Sequence, residues 1–134
     1  MVLFEAPYQH LELYTAHNVL VSQWYGGCTS AQYREALKRF IHYVDTRNIQ
    51  YAISDRRMLP PLSDEDARWT VEVFLESFRK LPLQRFAIIK SFSSSAGKQL
   101  QHFIRNKEQP LPFEARVFED LTSAYDWLTA TKAV

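Results

Sequence analysis

Asp55-Arg56-Arg57 is the first place in this chain where residue types suggest chemistry. Two guanidiniums at the end of a short apolar run can fork onto a carboxylate or phosphate of a ligand or partner. The plainer reading of the same triplet is a salt-bridged loop, with Asp55 paired to a neighbouring helix. Met58 and the proline-bearing loop lead on to Ser63, whose hydroxyl can cap a helix start. A phosphate on Ser63 would sit well at that helix end, but Asp64, Glu65 and Asp66 already crowd it with negative charge. Ser63 is therefore a candidate phosphoacceptor whose capping role alone explains it. Residues 91–98, SFSSSAGK, open a later helix with small side chains and a lysine, so the backbone N–H groups around Ser93, Ser94, Ser95 and Lys98 can cradle an anion, while a plain capped loop is the simpler reading. The loop lacks the first glycine of a phosphate-binding P-loop, and Gln99 stands where magnesium would need Ser or Thr, which argues against nucleotide hydrolysis.

Nucleophilic and metal chemistry have thinner support. Cys28 is the single cysteine and follows Gly26-Gly27 ahead of a helix, where the dipole would lower its pKa. A small thiol-dependent enzyme using Cys28 is thus an alternative, though an inert, half-buried thiol explains the residue as well. His10, His17, His42 and His102 have no metal-ligand spacing, so no metal and no cofactor are expected. Sixteen Lys and Arg against fifteen Asp and Glu leave no basic stripe, and nucleic acid is not an expected partner. One cysteine, no signal-peptide pattern and no apolar run near 20 residues suggest a cytoplasmic protein without a membrane span.

The elements that must position these residues follow from periodicity. Residues 11–15 alternate apolar and polar and return through Ala16-His17-Asn18 as residues 19–25, an antiparallel hairpin. Thr29 and Gln32 form a capping box ahead of a helix whose stripe is Tyr33, Leu37, Phe40, Ile41 and Val44. Residues 51–54 form a strand. The helix begun at Ser63 turns Ala67, Val71, Phe74, Phe78 and Leu81 inward and leaves Trp69 and Val73 on another face, for a partner or the lip of a pocket. Residues 85–90 read as the central strand, Ala96, Leu100, Phe103 and Ile104 as the stripe of a third helix, residues 115–118 as a last strand, and Asp120 as the cap of a final helix. The order predicts a single α/β domain over residues 1–134: a mostly parallel sheet of about five strands, an antiparallel N-terminal hairpin and four helices.

NVLVSQWYGGCTSAQYREAL, YAISDRRML, DEDARWTVEVF, RFAIIKS and VFEDLTSAYDWL together give the chain a pattern that resembles SpoIIAA-like, STAS-type domains. The likeness is to the small stand-alone bacterial members labelled STAS/SEC14-like. It implies a non-enzymatic module, regulatory or ligand-binding, and the Trp69 and Val73 face of the second helix adds the expectation of a homodimer. In anti-sigma antagonists a serine at the start of the second helix accepts phosphate, and Ser63 matches it by position. Leu62 stands where that motif has an acid, and the Asp-Ser-Ser-Gly run is absent. The expectation is a site for a protein partner or a small amphipathic ligand at the strand-to-helix corner, built by Asp55, Arg56, Arg57, Met58, Ser63 and Trp69 with Ser93, Ser94, Ser95 and Lys98. A purely structural dimerisation module is the other alternative.

Overall fold

A computed structural model describes residues 1–105 and 110–130. Six strands lie in sequence order across one sheet: β1 (Val2–Ala6), β2 (Gln9–Tyr14), β3 (Val19–Trp24), β4 (Tyr51–Asp55), β5 (Arg85–Ile89) and β6 (Glu114–Phe118). The first two pairings are antiparallel and the remaining three parallel. The hairpin forms as its alternation predicts: Gln9, Leu11 and Leu13 point inward, and Asn18 takes the positive φ of 55° that the turn requires. β1 is the strand that periodicity did not reveal; its five residues form an irregular edge with a register shift between Val2 and Phe4. β5 lies one place from the edge rather than at the centre, which β3 and β4 occupy.

α1 (Ser30–Thr46) starts at the expected capping box, with Gln32 N–H donating to Thr29 Oγ1 at 3.1 Å and Thr29 N–H to Gln32 Oε1 at 3.0 Å. The second helical rod has three parts: α2 (Asp64–Trp69), a π turn (Thr70–Phe74) and α3 (Leu75–Phe78). α4 (Ser94–Ile104) and α5 (Leu121–Thr129) make four rods in all among the described residues.

Each parallel strand is added on the same side of its predecessor. Right-handed crossovers then place α1, α2–α3 and α4 together on one face. There Phe40, Val44, Phe74, Phe78 and Leu100 pack on Leu20, Ala52, Phe86 and Ile88. α5 follows the last strand and covers the opposite face, where Ala124 and Leu128 meet Val19, Val21, Ile53, Ala87 and Ile89. The strand order never reverses, so the sheet has no switch-point crevice. A ligand site must instead come from one of its two faces.

The π turn changes which residues of the second rod face inward. Asp66, Thr70, Phe74 and Phe78 are buried, at a constant spacing of four, while Ala67 and Val71 are only half-buried. Four residues overshoot one α-helical turn, so such a stripe would wander around a regular helix. The wider turn, closed by Leu75 N–H on the Thr70 carbonyl, takes that drift back. Two polar side chains thereby enter the interior.

Candidate functional site

Along β4, Ala52, Ser54 and the following Arg56 share one phase of the strand and face the three-helix side. On β3 the matching positions are Leu20, Ser22 and Trp24, and Ser22 lies directly across from Ser54. Between this patch and the helices is a cavity of about 70 Å³. Its polar end consists of Ser22, Ser54, Arg56, Tyr33 and Thr70. Its other walls are apolar; Phe40, Phe78 and Phe86 touch one another there, with ring centroids 5.0–6.3 Å apart.

The polar end is ordered by a chain of hydrogen bonds. Thr70 Oγ1 donates to the Asp66 carbonyl at 2.8 Å, which leaves it to accept from the Tyr33 hydroxyl at 2.7 Å. The Tyr33 oxygen then turns a lone pair toward Arg56, whose guanidinium interacts with it. Burial raises the Tyr33 pKa, outweighing the pull of Arg56 and the bond to Thr70, so the phenol is neutral and does not cancel the arginine charge. Burial in turn works against the charge on Arg56 and lowers its pKa, with Tyr33 opposing the change. Gln9 Nε2 donates to Ser22 Oγ at 2.9 Å, which leaves the Ser22 proton free to donate. Among the described residues, Arg56 has no ion pair and no carboxylate lines the cavity.

Asp55 and Arg57, adjacent to Arg56, belong to the opposite face. Arg57 Nη2 lies 2.7 Å from Asp55 Oδ2 and its Nε 3.0 Å from Oδ1, a two-pronged pair. Burial alone would raise the Asp55 pKa, but hydrogen bonds from Arg57 outweigh it and hold the carboxyl below its usual value. The Arg57 charge is reinforced chiefly by the same bond. The salt-bridged-loop reading thus describes Asp55 and Arg57, and Asp55 finds its partner two residues away rather than on a helix.

The two loops singled out in the sequence do meet. Phe92 N–H donates to the Arg57 carbonyl at 3.1 Å, and Ser91 Oγ to the Leu59 carbonyl at 2.9 Å. The Gln99 amide clamps Leu62 twice, its Oε1 accepting from the backbone N–H at 2.8 Å and its Nε2 donating to the carbonyl at 3.0 Å. None of Met58, Ser63, Ser93, Ser94, Ser95 and Lys98 lines the cavity. Met58, Ser63, Ser94, Ser95 and Lys98 are exposed, while Ser63 and Ser93 use their hydroxyls as helix caps on Asp66 N–H and Ala96 N–H. Trp69 is half-buried, edge-on to Tyr33 and beneath the Arg34 guanidinium, and Val73 is 49% exposed.

Cys28 differs from expectation. Burial, with the nearby Asp66 carboxylate second, raises its pKa, so the anticipated dipole activation is overridden. Asp66 is itself committed, accepting from Ser30 Oγ at 2.8 Å and Arg34 Nε at 3.2 Å. Among the described residues no group of three His, Cys, Asp or Glu could hold a metal ion, and no helix is long and apolar enough to cross a membrane.

Sequence reasoning missed Ser22, Ser54, Tyr33 and Thr70 as one constellation. The two serines carried a readable signal, since each is a polar residue on the inward phase of an otherwise apolar strand. Thr70 carried none, because its burial depends on the π turn.

No family profile and no curated protein matches this chain. Among solved structures it is similar to an uncharacterised protein of the DUF3478 family with a SpoIIAA-like fold from Shewanella loihica PV-4, at 22% identity and a TM-score of 0.60, covering 90% of this chain and 91% of that one. The architecture that the residues predicted is thereby identified: this chain is a single α/β domain with a SpoIIAA-like fold.

Proposed function

We propose that the protein is a non-catalytic binding module that takes a small amphipathic ligand into the cavity between the sheet and α1, α2–α3 and α4. The observation that carries this reading is a cavity with apolar walls and one polar end, where Arg56 has no ion pair among the described residues. Ligand sites combine these features, an apolar enclosure that supplies affinity and a few fixed polar groups that supply orientation. The π turn supplies two of the walls, Thr70 and Phe74, and such turns recur at functional sites. The raised Cys28 pKa counts against the thiol-enzyme alternative, since the thiolate is the nucleophile. A regulatory role follows if occupancy alters the two touching loops that follow β4 and β5, where Met58 is 55% and Phe92 77% exposed. A protein partner or a second copy of the chain would read the ligand there.

Native mass spectrometry of the protein purified from its own host tests the reading. The expected result is a reproducible bound mass on the wild type that is lost in Ile104→Phe, which fills the half-buried edge of the cavity. A bound mass that survives Ile104→Phe would place the ligand elsewhere. A dimer without any bound mass would favour the partner or structural alternatives.

A further inference from the structure

We propose that the head of this ligand is a carboxylate, and that the protein selects a short monocarboxylic acid with a branched or straight apolar body. The inference rests on the cavity reading above and adds the chemical class. Its ground is the inventory of hydrogen-bonding groups at the polar end. Arg56 brings five N–H donors in a planar fork, and among the described residues only the Tyr33 oxygen engages them. Ser22 has a proton left over after accepting from Gln9. Ser54 lies across from it and is hydrogen-bonded by no described side chain. Donors therefore converge on the space and outnumber the acceptors on the walls that engage them.

The charge gives the same answer. A half-buried arginine whose guanidinium has no counter-ion among the described residues is costly to retain, because burial takes water from the charge and brings nothing of opposite sign. Asp55, the adjacent carboxylate, faces the other side of the sheet and is taken by Arg57. Tyr33 is held neutral. A carboxylate entering the cavity would supply the missing charge and match the fork in two parallel bonds. A phosphate dianion fits less well. One arginine and two hydroxyls leave its second charge against phenylalanine and leucine.

Size narrows the class further. A cavity of about 70 Å³ is several times what one water occupies, room for roughly five to seven non-hydrogen atoms. The acids of that size carry one carboxylate and an alkyl body of two to four carbons.

The experiment is a pair of titrations followed by amide chemical shifts, with isovalerate and its neutral isostere isovaleramide, on the wild type and on Arg56→Met. On the wild type, isovalerate should bind at least tenfold more tightly than isovaleramide and shift Ser54, Arg56, Thr70 and Phe74 together. Arg56→Met should abolish that preference and bring the two probes within about twofold of each other. Equal binding of both probes to the wild type would overturn the carboxylate assignment and leave the cavity reading standing. Binding of neither probe, with inorganic phosphate shifting the same residues, would assign a different anion and overturn the monocarboxylate. No shift with any probe would overturn the carboxylate assignment and remove the support for the cavity itself. A preference for isovalerate that persists in Arg56→Met would show that another group reads the charge.

Discussion

Arg56 and Arg57 are consecutive residues with opposite fates. Arg57 returns to Asp55 on the α5 side of the sheet and is locked in a two-pronged ion pair. Arg56 turns to the three-helix side, where the surroundings are aromatic and it has no carboxylate among the described residues. The two faces differ in the same way. Beneath α5 the centre of the sheet is closely packed, with Val19, Val21, Ile53, Ala87 and Ile89 all at 0% exposure, and the open space on that side lies at its margins. The other face stacks three helical rods on one sheet and leaves a cavity among them. One face is organised for stability. The other retains a charge and a void, both of which cost stability and both of which a ligand would offset.

The comparison breaks first under truncation of the packing. Ile53→Ala should destabilise the protein by about 3 kcal/mol in urea unfolding, because a fully packed position loses both its transfer energy and its neighbours' contacts. Leu75→Ala, on the half-buried cavity wall, should cost about half as much, since that wall already lacks partner atoms on one side. Equal losses at the two positions would mean that the faces are equally well packed.

Asp55→Asn should cost about 1–2 kcal/mol at pH 7, a modest figure because Arg57 is about a third exposed and solvent screens the pair. The sign of its pH dependence is fixed by the depressed pKa of Asp55. The contribution is fully present above the ordinary aspartate value of about 3.9 and is lost as pH falls through the lower, folded-state value. The gap in unfolding free energy between wild type and Asp55→Asn should therefore close on acidification below about pH 4 and stay constant from about pH 5 to 7. A gap that persists in strong acid would show that the hydrogen-bond geometry, and not the charge, is what matters.

The smallest effect sharpens the comparison most. Arg56→Met should leave the protein as stable or about 1 kcal/mol more stable, because a half-buried charge with no ion pair among the described residues is exchanged for an apolar side chain of similar length. Arg57→Met should be destabilising. Thermal unfolding of both variants decides the matter, and a loss at Arg56 as large as at Arg57 would mean that the fold already satisfies the Arg56 charge.

Much of this architecture is legible in the order of residues. The Thr29–Gln32 box, the Asn18 turn and the single apolar stripe of each helix are local signals, set by side chains within a few residues of the backbone they shape. β1 is not legible in that way, because five residues at a sheet edge offer too little alternation to stand out. Asp55-Arg56-Arg57 is correctly located at a strand end, yet its three residues cannot be sorted by partner from their order. That sorting depends on which face each side chain takes and on what the helices bring against it.

What the sequence determined by itself is the order of elements, their caps and the mixed sheet, because propensity and hydrophobic period act over one or two turns. Tertiary structure decided the site. Tyr33, Ser54, Arg56 and Thr70 come from three separate elements, and no period relates them. They meet because right-handed crossovers put three helical rods on one face, and because one wide turn rotates Thr70 inward. The charge on Arg56 is a property of the sequence; its lack of an ion-pair partner among the described residues is a property of the fold.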